Sequence, residues 1–477
     1  MGTEPVATAI REAPAGAAAT SLPTPAERAA LGRAARTAVP RAHHAEFRRN
    51  TNAPTPLELL FGQDTSRVPD LLPIRYERMA LSPFSYFRGA ALPMASDLAL
   101  SPRTNFTVQA CGDAHLANFG LFASPERRLV FDLNDFDETL PGPWEWDVKR
   151  LAASLEIAGR DNELPRKHRR DIVTSAVGEY RRAMREFSRS PVLQVWYAHA
   201  DEEMVRTTFA GDLGARHRKK LARTTAKART RDNLGALRRF TEITDGTRRI
   251  ASDPPLVVRV EELGIPRTEA SEMIGWLQDV LAAYRDTLEP DRRPLLDRYR
   301  VVDFARKVVG VGSVGTRCWM LLLVGRDEQD PLFLQAKEAG PSVLERYLAR
   351  SEYDNFAQRV VVGQRLMQTV GDIFLGWVRV VGLDGCTRDF YVRQLRDWKS
   401  SADIATMDAT GLRAYGRLCA WTLARAHART GDSIAIGSYL GSGTSFDNAV
   451  GEFASTYADQ NERDHAALCA ARKAGSR

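Results

Sequence analysis

The sequence predicts a mixed α+β protein of two lobes, in which a β-rich part is inserted between helical segments. Three observations carry that expectation. Between Trp144 and about Tyr299, apolar residues recur at three- and four-residue spacing, as in DVKRLAASLEIAGR, the period of an amphipathic helix. From about Arg300 the texture changes to strand-like runs joined by glycine turns. From Asp408 to Thr430 a long amphipathic helix returns, stopped by Gly431. At 477 residues the chain is long enough for two or three such units. The expected division is a disordered or loosely ordered leader at 1–70, a mainly helical part at 71–300, a β-rich part at 301–400, and a helical segment at 401–477 that returns to the helical lobe.

The elements follow in order. Residues up to about 50 are rich in Ala, Pro, Thr and Arg, a composition that buries little. Globular composition begins at Leu71. A β-rich run from Phe106 to Ala110 ends at a Gly-Asp turn, and a second spans Leu129 to Asn134. After the helical stretch, VVDFARKVVGVGSVGTRCWMLLLVG and DPLFLQAKEA read as strands. Ser342 to Gly371 then reads as helix, and DIFLGWVRVVG and DFYVRQLRDWK as strands again.

Hydrophobic residues make up 44% and charged residues 27%, ordinary for a soluble globular protein. No apolar run approaches the roughly 20 residues of a membrane-spanning helix. The first residues lack a basic segment followed by an apolar block, so a cytoplasmic location is expected. The five cysteines are scattered without a CxxC pair, against a disulfide framework or a zinc site. A net charge of +7 favours anionic partners such as nucleotides or phosphorylated substrates. Its excess is concentrated in 216–249, read here as a solvated helical face because aromatics are not interleaved with it. The rival reading is a non-catalytic nucleic-acid or protein-binding module built on that stretch.

The strongest local signal is CGDAHLANFGLF followed by RRLVFDLNDFDET. Asp113 and Asn118 stand in a turn between apolar runs, and Asp132, Asp135, Asp137 and Glu138 follow within seven positions. Phosphoryl transfer uses this inventory: one carboxylate accepts the proton of the attacking hydroxyl, while an Asn and an Asp hold magnesium against the phosphates. Magnesium takes hard oxygen ligands and few of them from protein. The alternation Leu129, Phe131, Leu133 puts Asp132 on the opposite strand face, so Asp135, just past the strand end, is the better metal ligand. Asp132 and Asp137 stay as alternates. Upstream, Arg75, Arg78 and Arg88 in RYERMALSPFSYFRGA are candidate anion or substrate contacts. Trp144 and Trp146 read as core anchors and His427 as a packed histidine.

GDAHLAN resembles the HGDxHxxN catalytic loop of aminoglycoside and choline phosphotransferases, relatives of protein kinases, and NDFDE resembles their metal-binding strand end. GPWEWDVKRLA is similar to the stretch that follows it there. The resemblance implies Asp113 as catalytic base, Asn118 and Asp135 as magnesium ligands, and His115 and Asp147 as structural supports of the loop. One departure is plain: Cys111 stands where that loop has its first His. Past residue 50, with SPFSYFRGA upstream, nearly the whole chain is also similar to a large bacterial family of uncharacterised proteins.

GVGSVGT, with Gly310, Gly312, Ser313 and Gly315, is followed by the strand-like RCWMLLLVG and not by a helix. That context disfavours a dinucleotide site and favours a strand–loop–strand hairpin covering nucleotide phosphates, as in kinases. Lys337 in FLQAKEA lies on the next strand, where a buried ammonium needs anionic partners. The candidates are nucleotide phosphates and a glutamate of the next helix, Glu345 or Glu352. FYVRQLRD is similar to the last small-lobe strand entering the hinge of these enzymes, and LARAHA to a string in the helix before their catalytic loop. In those families the glycine loop and lysine precede the catalytic loop; here they follow it. The resemblance therefore implies a protein-kinase-like two-lobed fold, circularly permuted. The expected activity is transfer of a phosphoryl group to a small-molecule hydroxyl, with ATP or another NTP and Mg2+ as cofactors. Rivals of the same fold are a nucleotide-binding pseudokinase and a nucleotidyl transferase.

Overall fold

The computed structural model describes residues 23–49, 53–209, 213–244, 246–263, 267–382, 385–395 and 398–475. They form a mixed α+β protein whose described strands all pair antiparallel. A six-stranded sheet makes one lobe, running in space Gly376–Val381, Thr387–Gln394, Pro331–Ala339, Cys318–Val324, Arg300–Lys307, Val257–Arg259. Strand alternation builds its two faces. Leu321, Leu323, Leu332 and Leu334 pack on one side under the helix Arg267–Asp286, through Leu277 and Tyr284. Met320, Leu322 and Phe333 pack on the other against Ala236 and Leu237 of the helix Asn233–Phe240. Lys337 falls on this second face.

These contacts move residues 233–300 into the β-rich lobe, a correction to the boundary expected at 300. The apolar stripes of the two helices bury against the sheet, and a hairpin, Thr241–Thr244 with Thr247–Ile250, interrupts what reads as continuous helix.

The helical lobe is built from Trp144–Asp161, Arg166–Phe187, Ala409–Thr430 and Ser445–Lys473, whose Leu151, Leu155, Tyr180, Leu423 and Phe446 share one core. Asp408 caps the third of these, accepting the amide of Gly411, and Gly431 ends it. A smaller sheet pairs Phe119–Ala123 with Leu129–Leu133 and lies under the cleft, with Ser400–Ser401 of the inter-lobe linker along its edge.

Two further expectations are corrected. The leader expected at 1–70 is ordered over its described part: Thr24 and Glu27 form a capping box for the helix Pro25–Ala38, which packs on Ser433–Leu440. Arg28 bonds Asp432 at 2.9 Å, and Arg49 bonds Asp97 at 2.8 Å and Asp464 at 2.6 Å. Alanine-rich sequence suits a helix once such partners exist; residues 1–22 lie outside the described residues. The helix expected over Ser342–Gly371 is split into a turn, Val343–Arg346, capped by Ser342 with Glu345, and a helix, Phe356–Met367, begun by Asn355.

Candidate active site

The strand Thr107–Ala110 leads into the turn that carries Asp113. Gly112 has φ +78°, and a Cβ there would lie 2.4 Å from the carbonyl oxygen of Glu138, so glycine alone fits before Asp113. Asp147, in the first turn of Trp144–Asp161, accepts the amides of Cys111 at 2.6 Å and Gly112 at 2.9 Å. Behind it, His427 Nε2 lies 3.1 Å from Asp147, and His427 Nδ1 lies 2.8 Å from the Tyr180 hydroxyl. A buried carboxylate–histidine–tyrosine chain thus holds the backbone where Cys111 stands. His115 Nδ1 accepts the amide of Ala117 at 3.2 Å, and its Nε2 is 3.7 Å from Asp113 Oδ2.

Asp113, His115, Asn118, Asp135, Asp137 and Glu138 face Gly310, Val311, Gly312 and Ser313 across one cavity of ≈ 70 Å³. That is room for about five water-sized groups. Lys337, buried on Pro331–Ala339, reaches to it: its ammonium bonds Asp137 and lies 3.4 Å from Asp135 Oδ1, 202 positions away. Asp137 also accepts the Tyr391 hydroxyl at 2.7 Å and the Ser313 hydroxyl at 3.2 Å. Lysine strand, glycine loop and acidic strand end therefore meet at one carboxylate.

Several expected roles fall elsewhere. Glu345 closes its own turn through the amide of Ser342 at 3.1 Å and lies 3.9 Å from Arg359, while Glu352 is exposed in the following loop. Lys337 takes aspartates as its partners instead. The helix Phe356–Met367 has no glutamate to offer; its Arg359 donates to the carbonyls of Thr139, Asp137 and Gly340 at 2.6–2.9 Å. Asp132, an alternate metal ligand, faces away from the cavity and is bonded by Arg425. Arg75 is fully buried against Gln63 and the carbonyl of Gly89, so it contacts no substrate. Arg78 donates to the carbonyl of Val309 at 2.8 Å beside the glycine loop. Of the three arginines, Arg88 lines the cavity.

Sequence reasoning missed Gln63, Arg67 and Arg150. Arg67 donates to the carbonyl of Val314 at 2.5 Å, and the amide of Val68 to that of Gly315 at 2.7 Å, strapping a loop whose Gly315 has φ +94°. Arg150 Nε bonds Asp113 Oδ1 at 2.5 Å and its Nη2 the carbonyl of Phe87 at 3.0 Å. Its i+3 spacing from Asp147 on one helix was a usable signal.

Burial dominates the proton affinities. It raises Asp113 to about 6, against the pull of Arg150, which puts a candidate base near the pH at which general bases work best. Burial, then the neighbouring Asp137, raise Asp135. For Asp137 burial is outweighed by Lys337 and Tyr391, and it stays below the ordinary carboxylate range. Burial pushes Glu138 up to about 7 and holds His115 neutral, well below the usual imidazole range. Asn118 Nδ2 donates to the carbonyl of Asp113 at 2.7 Å, which leaves its oxygen for a ligand. Asn118 and Asp135 are hard oxygen donors of the kind magnesium takes, with water and phosphate completing its shell. No cluster of three His, Cys, Asp or Glu able to hold a metal occurs among the described residues.

Cations of the basic stretch pair inside the chain: Arg229 with Glu202 at 2.5 Å, Arg249 with Asp303 at 3.2 Å, Lys220 with Thr406 at 2.9 Å. Arg231 donates to the carbonyl of Lys399 at 2.9 Å and accepts the amide of Trp398 at 3.0 Å, which fastens this stretch to the inter-lobe linker. No helix of the described residues is long and apolar enough to cross a membrane. No curated protein and no solved structure matches the chain. Residues 67–471, from the arginine that straps the glycine loop to the last long helix, match a family model described as an uncharacterized protein conserved in bacteria (DUF2252), and the chain belongs to that family.

Proposed function

We propose that this protein is a phosphotransferase of protein-kinase-like, circularly permuted fold that uses Mg·ATP to phosphorylate a hydroxyl of a small molecule. The observation that carries the reading is the meeting of Lys337 with Asp135 and Asp137 in the cavity that Asp113 and the glycine loop share. Strand order adds support. After the glycine hairpin, the lysine lies on the next strand, then come a helix and two strands, the last of them beside the lysine strand. Kinases carry their phosphate-pairing lysine on the strand after the same hairpin.

In this reading Asp113 takes the acceptor's proton, the amides of 310–315 cradle the phosphates, and Lys337 exchanges its aspartates for phosphate oxygens as the lobes part to admit nucleotide. Asn118 and Asp135 would hold magnesium, which when bound offsets charge on the phosphates. One observation favours a second reading, nucleotide binding without transfer: the helix Phe356–Met367 lacks the glutamate that active kinases pair with their lysine.

Thermal denaturation with and without Mg·ATP tests the first step, because a ligand of the folded state raises Tm. Wild type shifts, Lys337→Ala does not, and Asp113→Asn shifts as wild type does while losing transfer of labelled phosphate to a metabolite library. A wild type blind to Mg·ATP refutes both readings; a shift without any transfer leaves the second.

A further inference from the structure

We infer that Arg88 is the cation that meets the phosphoryl group in flight, an arginine supplied from the chain's own helix Pro83–Gly89. This rests on the phosphotransferase reading. Each other cation at the cavity has a partner: Lys337 bonds Asp137, Arg67 the carbonyl of Val314, and Arg150 Asp113. Arg88 has none among the described residues, and its Nε is buried. Burial opposes its charge, while nearby Asp113 favours it. An unpaired guanidinium kept from water is costly, so its place implies an anion that arrives later.

Position narrows the anion. A Cβ on Gly310 would lie 4.0 Å from Arg88 Nη2, and one on Gly312 would lie 3.2 Å from the Arg88 carbonyl oxygen. The side chain therefore sits under the start of the glycine loop, in the cavity that Asp113 lines. A terminal phosphoryl held by the loop amides and handed to a hydroxyl beside Asp113 passes through that gap. Arg150 fixes the geometry from both sides, bonding Asp113 and the carbonyl of Phe87, the residue before Arg88. In the step itself the acceptor oxygen bonds to the γ-phosphorus, and the bond from that phosphorus to the β–γ bridging oxygen breaks. The electron pair leaves with ADP, and the acceptor's proton goes to Asp113. Arg88 makes no covalent bond; its N–H groups donate to the oxygens that stay on phosphorus, where a planar fork matches them.

The test compares Tm shifts of the full chain with Mg·ADP alone and with Mg·ADP plus aluminium fluoride, a mimic of the group in transfer. Wild type gains a further shift from the fluoride. Arg88→Gln keeps the Mg·ADP shift and loses the further one, and Arg88→Lys, which keeps charge without the fork, recovers part of it. With an acceptor in hand, Arg88→Gln lowers kcat about 10²–10³-fold with KM for ATP little changed. A fluoride increment that survives in Arg88→Gln, or an equal loss of the Mg·ADP shift, overturns the assignment and leaves the phosphotransferase reading standing. No Mg·ADP or Mg·ATP shift in wild type removes both. Should Arg88→Gln fail to fold, Arg88→Lys decides alone: a full increment, equal to that of wild type, overturns the role of the fork.

Discussion

Asp113→Asn isolates what it costs to keep a charge in the cavity. Burial holds the carboxylate at about 6 against an ordinary value of 3.8, and that gap of about 2.2 is worth about 3 kcal/mol. A carboxyl whose pKa rises on folding binds protons more tightly in the folded state, so it weakens stability as pH climbs from near 4 through about 6. Asparagine keeps the shape and never ionises. Asp113→Asn is therefore expected to be more stable than wild type by up to about 3 kcal/mol at pH 7.5, by about half that at pH 5, and by little at pH 4. Urea midpoints of the two proteins at the three pH values measure it; midpoints are compared because a two-lobed chain need not unfold in one step. The same group sets activity: kcat/KM should fall about tenfold per pH unit below about 6, as the base is protonated. A variant less stable than wild type by the same amount at every pH would refute the reasoning. It would mean that Arg150, 2.5 Å away, outweighs burial and keeps the carboxylate fully charged.

Three more outcomes are expected. Lys337→Met leaves Asp135 and Asp137 facing each other without their cation and costs about 3–5 kcal/mol at pH 7.5; thermal melts should show the deficit shrinking at lower pH, where these carboxylates take up protons. Asp147→Ala frees the buried amides of Cys111 and Gly112 at about 1.5–3 kcal/mol each; hydrogen exchange should speed up at those two amides and not in Ala409–Thr430. Gly112→Ala forces a side chain onto the carbonyl of Glu138 at φ +78° and should cost about 2 kcal/mol or more in denaturant stability.

What could be read from the sequence was local. The acidic turn, the glycine hairpin, the lysine strand and the helix Ala409–Thr430 follow from alternation, period and stop signals within a dozen or so residues. What could not be read depends on which surfaces meet. The glutamates proposed for Lys337 rested on a continuous helix after Ser342, yet Ser342 with Glu345 closes a single turn and Asn355 starts the helix anew. A capping box at the first site was visible as S-x-x-E and argued for a helix start without saying how soon the turn would end. The partners Lys337 found instead lie 200 and 202 positions away. No spacing rule reaches that far. Arg67 and Arg150 were missed for the same reason: an arginine's neighbours at the tip of its side chain belong to other elements.

The reversed order of the two motifs matters less than it looks, because each half of the site is fixed within its own lobe. Asp147 holds the turn, Arg150 holds Asp113, and Arg425 anchors Asp132 and with it the strand that ends at Asp135. The sheet alone places Lys337 and the glycine hairpin. Chain order enters through the connections, and the entropy of closing a connection grows slowly with its length. The joints between the lobes are of two kinds. Val360, Val361 and Met367 of the helix Phe356–Met367 belong to the helical lobe's core, so that helix stays with the catalytic turn. The glycine loop is tied down by polar contacts: Ser313 to Asp137, Arg67 to Val314, Arg78 to Val309. Polar ties can be exchanged for phosphate oxygens at little net change, whereas apolar packing cannot. The part of the molecule able to open is the part that must, the loop above Asp113, and the ion pair of Lys337 with Asp137 is the closure a triphosphate has to replace.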